Sequence, residues 1–140
     1  MALLLPGEYR IHRGACEAAL LGYTPGALVA FYRPSLHPDL RKWHVQPQHN
    51  GTYTLQNIKT GDFLAYYEKE NRVGGSPCPC QWRIEHGPDP SQYFLMVPAS
   101  PFVVDARESC FTVQTHLVLD FLHDKKESTQ AWTFTPCSDS

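Results

Sequence analysis

Cysteine and histidine are the residue types in this chain that could bind a metal ion or act in catalysis. Cys78 and Cys80 are separated by one residue, and His86 follows six residues later. Zinc sites usually place two or more residues between paired cysteines, and no second pair lies at ligand spacing. The seven histidines are scattered and form no grouping typical of a catalytic site. The sequence therefore predicts no catalytic residue, no metal site, no cofactor and no enzyme activity.

The charge balance argues against a nucleic acid as partner. Lys and Arg number 12 and Asp and Glu number 14, so the formal net charge is -2. Domains that bind nucleic acids usually carry a basic excess.

The start of the chain and the cysteine count predict a location. The apolar run at 2–5 ends at Pro6, far short of the roughly 20 residues that a membrane-spanning helix needs. The same segment lacks the basic flank and the length of a signal peptide. The five cysteines are an odd number, which favours free thiols in a reducing compartment. We therefore expect no membrane span, a cytoplasmic protein and no disulfide.

Short apolar runs bounded by turn residues predict strands rather than helices. They are rich in β-branched and aromatic residues, and they lie at 27–32, 63–67, 102–104 and 117–122. The length of 140 residues suits one domain, since domains most often have about 100–150 residues. The sequence predicts a single all-β domain over residues 1–140.

Two short motifs each recur three times along the chain. A small–x–Tyr–x–aliphatic motif has its aromatic residue at Tyr9, Tyr53 and Tyr93. A Trp–x–apolar motif has its aromatic residue at Trp43, Trp82 and Trp132. All three tryptophans of the chain therefore occupy the same place in a repeat.

The repeat predicts the architecture. Its units lie at about 7–47, 51–87 and 91–136, and we call them the first, second and third units. Each unit has room for four strands. A propeller blade has a similar length, but three blades are too few to close a propeller. The prediction is a β-trefoil with three pseudo-symmetric repeats of four strands.

These motifs resemble those of the fungal ricin B-type lectin family of β-trefoils. The resemblance extends from residue 7 to residue 134. It rests on the tyrosine strands, on Thr60-Gly61-Asp62-Phe63-Leu64 and on Gln130-Ala131-Trp132, which matches Gln-x-Trp in full. The resemblance implies a non-catalytic protein that binds glycans or glycoproteins. Fungal β-trefoil inhibitors of serine and cysteine proteases share the same strand motifs.

The family's sugar site is implied in the third unit. In this family an Asp accepts hydrogen bonds from sugar hydroxyls, an aromatic ring stacks on the sugar, and an Asn precedes the Gln of Gln-x-Trp. The matching residues are Asp105, Phe121, Thr129 and Gln130, with Thr129 in place of the Asn. Counting from the tyrosines puts Leu21 and Ala65 at the Asp position of the other units. We therefore expect at most one sugar site.

A protease inhibitor is the alternative hypothesis. Inhibitors of this fold present one exposed loop to the protease, and the Pro-rich segments 33–41 and 71–79 are candidate loops, with a hairpin turn at 73–77. Arg33, Arg41 or Arg72 would then enter an acidic specificity pocket. A third hypothesis is a trefoil that serves only in protein–protein contact, and the sequence is compatible with an oligomer.

Overall fold

The computed structural model describes residues 4–13, 16–20, 28–31, 38–105, 114–122 and 130–137. Within these ranges the chain forms thirteen β-strands and two short 3₁₀ helices, Pro38–Arg41 and Glu68–Glu70. The strands in chain order are β1 (Gly7–Arg13), β2 (Cys16–Leu20), β3 (Leu28–Phe31), β4 (Lys42–Pro47), β5 (Tyr53–Asn57), β6 (Phe63–Tyr67), β7 (Arg72–Ser76), β8 (Arg83–His86), β9 (Gln92–Met96), β10 (Phe102–Asp105), β11 (Gln114–His116), β12 (Val118–Phe121) and β13 (Trp132–Pro136).

Six of these strands form a closed barrel. β1 pairs with β4, β4 with β5, β8 with β9, β9 with β13, and β13 returns to β1. β5 and β8 are joined through Tyr53 and Trp82, whose backbones exchange two hydrogen bonds of 2.8 Å. Closure gives every barrel strand a partner on both sides, so the barrel presents no edge strand.

The recurring motifs are explained by the alternation of side chains along a strand. In β1, Tyr9 and Ile11 are buried and Arg10 between them is exposed. In β4, Trp43 and Val45 are buried in the same alternating way. Because successive side chains of a strand point to opposite faces, each motif places two large apolar residues in the barrel core.

The tryptophans lie at matching places in the barrel, as their spacing predicts. Each is directly opposite the tyrosine of its own unit, in the pairs Tyr9–Trp43, Tyr53–Trp82 and Tyr93–Trp132. All three tryptophans are fully buried. Each ring N–H donates to a backbone carbonyl, that of Ala18 at 3.0 Å, Leu64 at 2.9 Å and Val104 at 3.2 Å. Burial removes the apolar part of each indole ring from water, and the hydrogen bond gives the ring N–H an acceptor.

Three hairpins extend from the barrel: β2–β3, β6–β7 and β10–β12. The third hairpin also contacts the second, because Val118 of β12 pairs with Arg72 of β7. Through this contact β12, which carries one of the predicted sugar-site residues, lies beside the second unit.

The segment 71–79 differs from the sequence prediction. The sequence predicts a loop with a hairpin turn at 73–77, but Arg72–Ser76 form β7 and pair along β6. The glycine at position 75 reflects close packing rather than a turn. A Cβ atom there would lie 3.1 Å from both terminal methyl carbons of the buried Leu20.

In the part of the chain that the structure describes, no helix has the length and apolar character that crossing a bilayer requires. Cys78, Cys80 and Cys137 are not joined in disulfides. The side chain of Cys16, and Cys110 altogether, lie outside the described residues.

Candidate functional site

Three of the four predicted sugar-site residues meet at one edge of the third unit. The side-chain amide of Gln130 donates to Oδ2 of Asp105 at 3.2 Å and to the backbone carbonyl of Phe121 at 2.7 Å. Asp105 ends β10, Phe121 ends β12, and Gln130 lies two residues before Trp132. The Gln130 side chain thus connects β10 and β12, the two strands of the third hairpin, to the start of β13. Thr129 lies outside the described residues.

A cation that no sequence motif marks lies near this group. Arg13, the last residue of β1, has its guanidinium carbon 5.9 Å from the ring centroid of Trp132. Burial lowers the pKa of Arg13, and the attraction of the Asp105 carboxylate opposes that shift. Asp105 and Gln130 are fully buried. The Gln130 amide donor and the nearby Arg13 cation offset the loss of water around the Asp105 carboxylate.

The accessible part of the group is an aromatic ring. Phe121 is 52% exposed, and its neighbour Leu122 is 39% exposed. The Phe121 ring packs on the ring of Phe102, with centroids 4.9 Å apart and planes at 33°. A supported ring with an exposed face can stack on the apolar face of a sugar. A ligand arriving from solvent therefore meets the Phe121 ring before the Asp105 carboxylate.

The tryptophan hydrogen bonds identify the equivalents of Asp105 in the other units. Asp105 directly follows Val104, whose carbonyl accepts the hydrogen bond from Trp132. The residues at the same place in the first and second units are Ala19 and Ala65. The expected position in the first unit, Leu21, was therefore wrong by two residues. This position lies 10 residues after the tyrosine in the first unit and 12 residues after it in the other two. An alanine side chain has no hydrogen-bonding group, so neither unit offers a carboxylate at this place.

An ion pair replaces the Asp–Gln pair in the first unit. Arg41 stands two residues before Trp43, as Gln130 does before Trp132. Arg41 donates from Nη1 to Oε2 of Glu17 at 2.6 Å, and Arg10 donates from Nε to Oε1 at 2.7 Å. Burial acts to raise the pKa of Glu17, but the two arginine hydrogen bonds together lower it below its usual value. The pairing depends on residues seven and 24 positions apart, and no sequence motif marks it.

The arginines of the inhibitor hypothesis have different surroundings. Arg33 lies outside the described residues. Arg41 is held by Glu17, and its side chain is 14% exposed. Arg72 opens β7, with its guanidinium carbon 4.8 Å from the ring centroid of Tyr67. The two described arginines are thus engaged at the ends of a helix and a strand, not at the tip of a loop.

A separate surface pocket of about 490 Å³ opens between β1, β4 and β13. Its lining includes the side chains of Glu8, Tyr9, His44 and Cys137, and none of the predicted site residues lines it. Among the described residues, no three His, Cys, Asp or Glu side chains are grouped as metal ligands would be.

No family model and no curated protein matches the sequence. Solved structures do match it. The chain is similar to the Macrolepiota procera ricin B-like lectin in complex with lactose, at 18% identity and a TM-score of 0.82, over 96% of this chain and 99% of that chain. It is also similar to the Rhizoctonia solani agglutinin, at 18% identity and a TM-score of 0.78, over 95% of this chain and 96% of that chain.

The BEL β-trefoil matches at 12% identity and a TM-score of 0.73, over 94% of this chain and 93% of that chain. The cytolethal distending toxin of Haemophilus ducreyi matches at 14% identity and a TM-score of 0.77, over 95% of this chain and 87% of that chain. At these identities the similarity shows the fold: a closed all-β barrel of the β-trefoil kind.

Proposed function

We propose that this β-trefoil is a non-catalytic carbohydrate-binding protein, a ricin B-like lectin that acts on glycans or glycoproteins. Its domain spans residues 1–140 and consists of three pseudo-symmetric repeats of four strands, at about 7–47, 51–87 and 91–136. The proposal is supported by lectins among the solved structures that match nearly the whole chain. It is also supported by the matching places of the three tryptophans.

The proposed sugar site is in the third unit and consists of Asp105, Phe121, Thr129 and Gln130. The exposed Phe121 ring is the observation that carries the assignment, because it provides a stacking face at the edge where the family places one. Gln130 holds the backbone of Phe121, and the buried Asp105 carboxylate accepts from Gln130 and fixes its orientation. Thr129 supplies a hydroxyl that can bond to the sugar.

The experiment compares two neighbouring apolar residues. A glycan array selects a ligand, and isothermal titration then measures the wild type, Phe121→Ala and Leu122→Ala with it. Phe121→Ala removes the stacking face, so binding should weaken by about 3- to 10-fold, which corresponds to the roughly 0.5–1.5 kcal/mol of an aromatic stacking contact. Leu122→Ala is the matched control and should bind like the wild type.

Two results would contradict the proposal. One is a wild-type protein that retains no glycan on the array. The other is a Phe121→Ala variant that binds as tightly as the wild type. Inhibition of trypsin, chymotrypsin or papain, measured in parallel, would then favour the inhibitor hypothesis.

A further inference from the structure

The surface pocket between β1, β4 and β13 has the size and the mixed lining of a small-molecule site. Its volume of about 490 Å³ lies within the roughly 300–1,000 Å³ that is usual for ligand pockets. Such pockets combine apolar walls with a few polar groups. The apolar residues that line this one are Leu5, Pro6 and Pro136, and the polar ones are Glu8, Tyr9, His44 and Cys137.

The wall formed by Leu5 and Pro6 is held in place by the residues next to it. Leu4 is buried in the core, and its backbone N–H donates to the Tyr53 hydroxyl at 3.1 Å. The Tyr9 hydroxyl donates to the backbone carbonyl of Leu5 at 2.8 Å. The Leu5 side chain itself is 76% exposed. The backbone is therefore fixed while an apolar side chain stands in solvent at the edge of the pocket.

The strand register places Glu8 between the other two polar groups. Glu8 lies directly opposite His44 of β4, and its backbone carbonyl accepts from the N–H of Cys137 at 2.9 Å. Tyr9 and Trp43, the neighbours of Glu8 and His44 along their strands, are buried. Because successive side chains of a strand point to opposite faces, Glu8 and His44 share the outer face of the barrel.

The charge of the lining narrows the ligand class. Among the described residues that line the pocket, Glu8 alone carries a full charge at neutral pH, and that charge is negative. Arg10, the next residue of β1 on the same face, donates from Nε to Glu17 at 2.7 Å. A carboxylate only accepts hydrogen bonds, whereas a primary ammonium group only donates them. An ammonium group on an aliphatic chain complements both the carboxylate and the apolar wall.

We propose that this pocket binds a primary alkylammonium ion. The ammonium group pairs with the Glu8 carboxylate, and the alkyl chain packs against Leu5 and Pro6. The pocket shares no residue with the proposed sugar site, so the two sites act independently.

The test compares three probes that have the same six-carbon chain and differ in the head group: n-hexylamine, n-hexanol and hexanoate. Each is titrated into the ¹⁵N-labelled full-length chain, and the NMR shifts of the Glu8, His44 and Cys137 amides are followed. Hexylamine should shift these signals and bind about 2- to 5-fold more tightly than hexanol, the range of an ion pair that is accessible to solvent. Hexanoate should bind more weakly than hexanol, because its charge has the same sign as that of Glu8.

Three variants separate the head group from the chain. Glu8→Gln keeps the shape of the side chain and removes its charge, so hexylamine should bind no more tightly than hexanol. Leu5→Ser should weaken both probes alike, and the exposure of Leu5 keeps this variant folded. Glu85→Gln is the matched control, because Glu85 is an exposed carboxylate of β8, which lies across the barrel from β1. It should bind like the wild type.

Any of three results would overturn the proposal. The first is a wild type whose three reporter amides do not respond to hexylamine. The second is hexanol or hexanoate binding as tightly as hexylamine. The third is a Glu8→Gln variant that keeps the preference for the amine.

Discussion

The side-chain amide of Gln130 donates to the buried carboxylate of Asp105 at 3.2 Å, and this hydrogen bond ties the third hairpin to the barrel. The same amide group reaches the backbone of Phe121. The carboxylate thus fixes the side chain that positions the exposed ring. Asp105 accordingly contributes to stability as well as to the proposed binding site.

Asp105→Ala should destabilise the fold. The change removes the carboxylate that accepts from the Gln130 amide and that attracts the nearby Arg13 cation, and a hydrogen bond to a charged group contributes about 1.5–3 kcal/mol. The melting temperature should fall by about 5 °C or more. Asp105→Asn is the matched control, because it keeps an acceptor oxygen and should lose less. Equal melting of Asp105→Ala and the wild type would show that the hydrogen bond is not structural.

Trp82→Ala should yield protein that is largely unfolded or insoluble. Trp82 fills the core, joins β5 to β8 and donates to the Leu64 carbonyl. Truncating a buried Trp costs about 3–5 kcal/mol, a large part of the roughly 5–15 kcal/mol that stabilises a domain. The adjacent Gln81 is exposed, so Gln81→Ala should melt close to the wild type. Circular dichroism of both variants checks the prediction, and a well-folded Trp82→Ala protein would contradict it.

Glu17→Gln should destabilise the protein in a pH-dependent way. The pKa of Glu17 is lowered in the folded state, so its contribution is present above the unfolded value of about 4.3. That contribution is lost as the pH falls through the folded-state pKa. Breaking one partner of a buried pair costs about 3 kcal/mol at neutral pH.

Melting curves of the wild type and Glu17→Gln from pH 7 to pH 3 check this prediction. The gap between their melting temperatures should be widest near neutral pH and should narrow in acid. A gap that stays constant over this range would mean that the charge of Glu17 is not responsible for it.

Gly75→Ala should also destabilise the fold, through overpacking. Its new Cβ would lie 3.1 Å from two methyl carbons of Leu20, which is buried and has little room to move. Overpacking of this kind costs about 1–3 kcal/mol. The same change made in a Leu20→Ala background should cost less, because the clashing atoms are gone. Additive losses of stability in the double variant would exclude this contact as the cause.

The barrel could be predicted from the sequence because its causes are local. A strand alternates its side chains, so a buried Tyr or Trp with an apolar residue two positions on marks an inward face wherever it occurs. Three copies of each motif were enough to predict that Trp43, Trp82 and Trp132 occupy matching buried places. The resemblance to the lectin family likewise pointed to Asp105, Phe121 and Gln130, which lie together in the structure. Their role in sugar binding stays a prediction.

The remaining features depend on distances between residues far apart in the chain. A count from Tyr9 led to Leu21 instead of Ala19, because the spacing from the tyrosine to this position is two residues shorter in the first unit. The strand pattern does not reveal this difference. The sequence around Gly75 is typical of a turn. The structure shows instead that a side chain at this position would collide with Leu20, a contact that the sequence does not reveal. The burial of Asp105 and the pairing of Glu17 with Arg41 were equally invisible in the sequence. Motif spacing determines which face of a strand a residue occupies, whereas its exposure and its charged partners are set by the strands that the closed barrel brings alongside it.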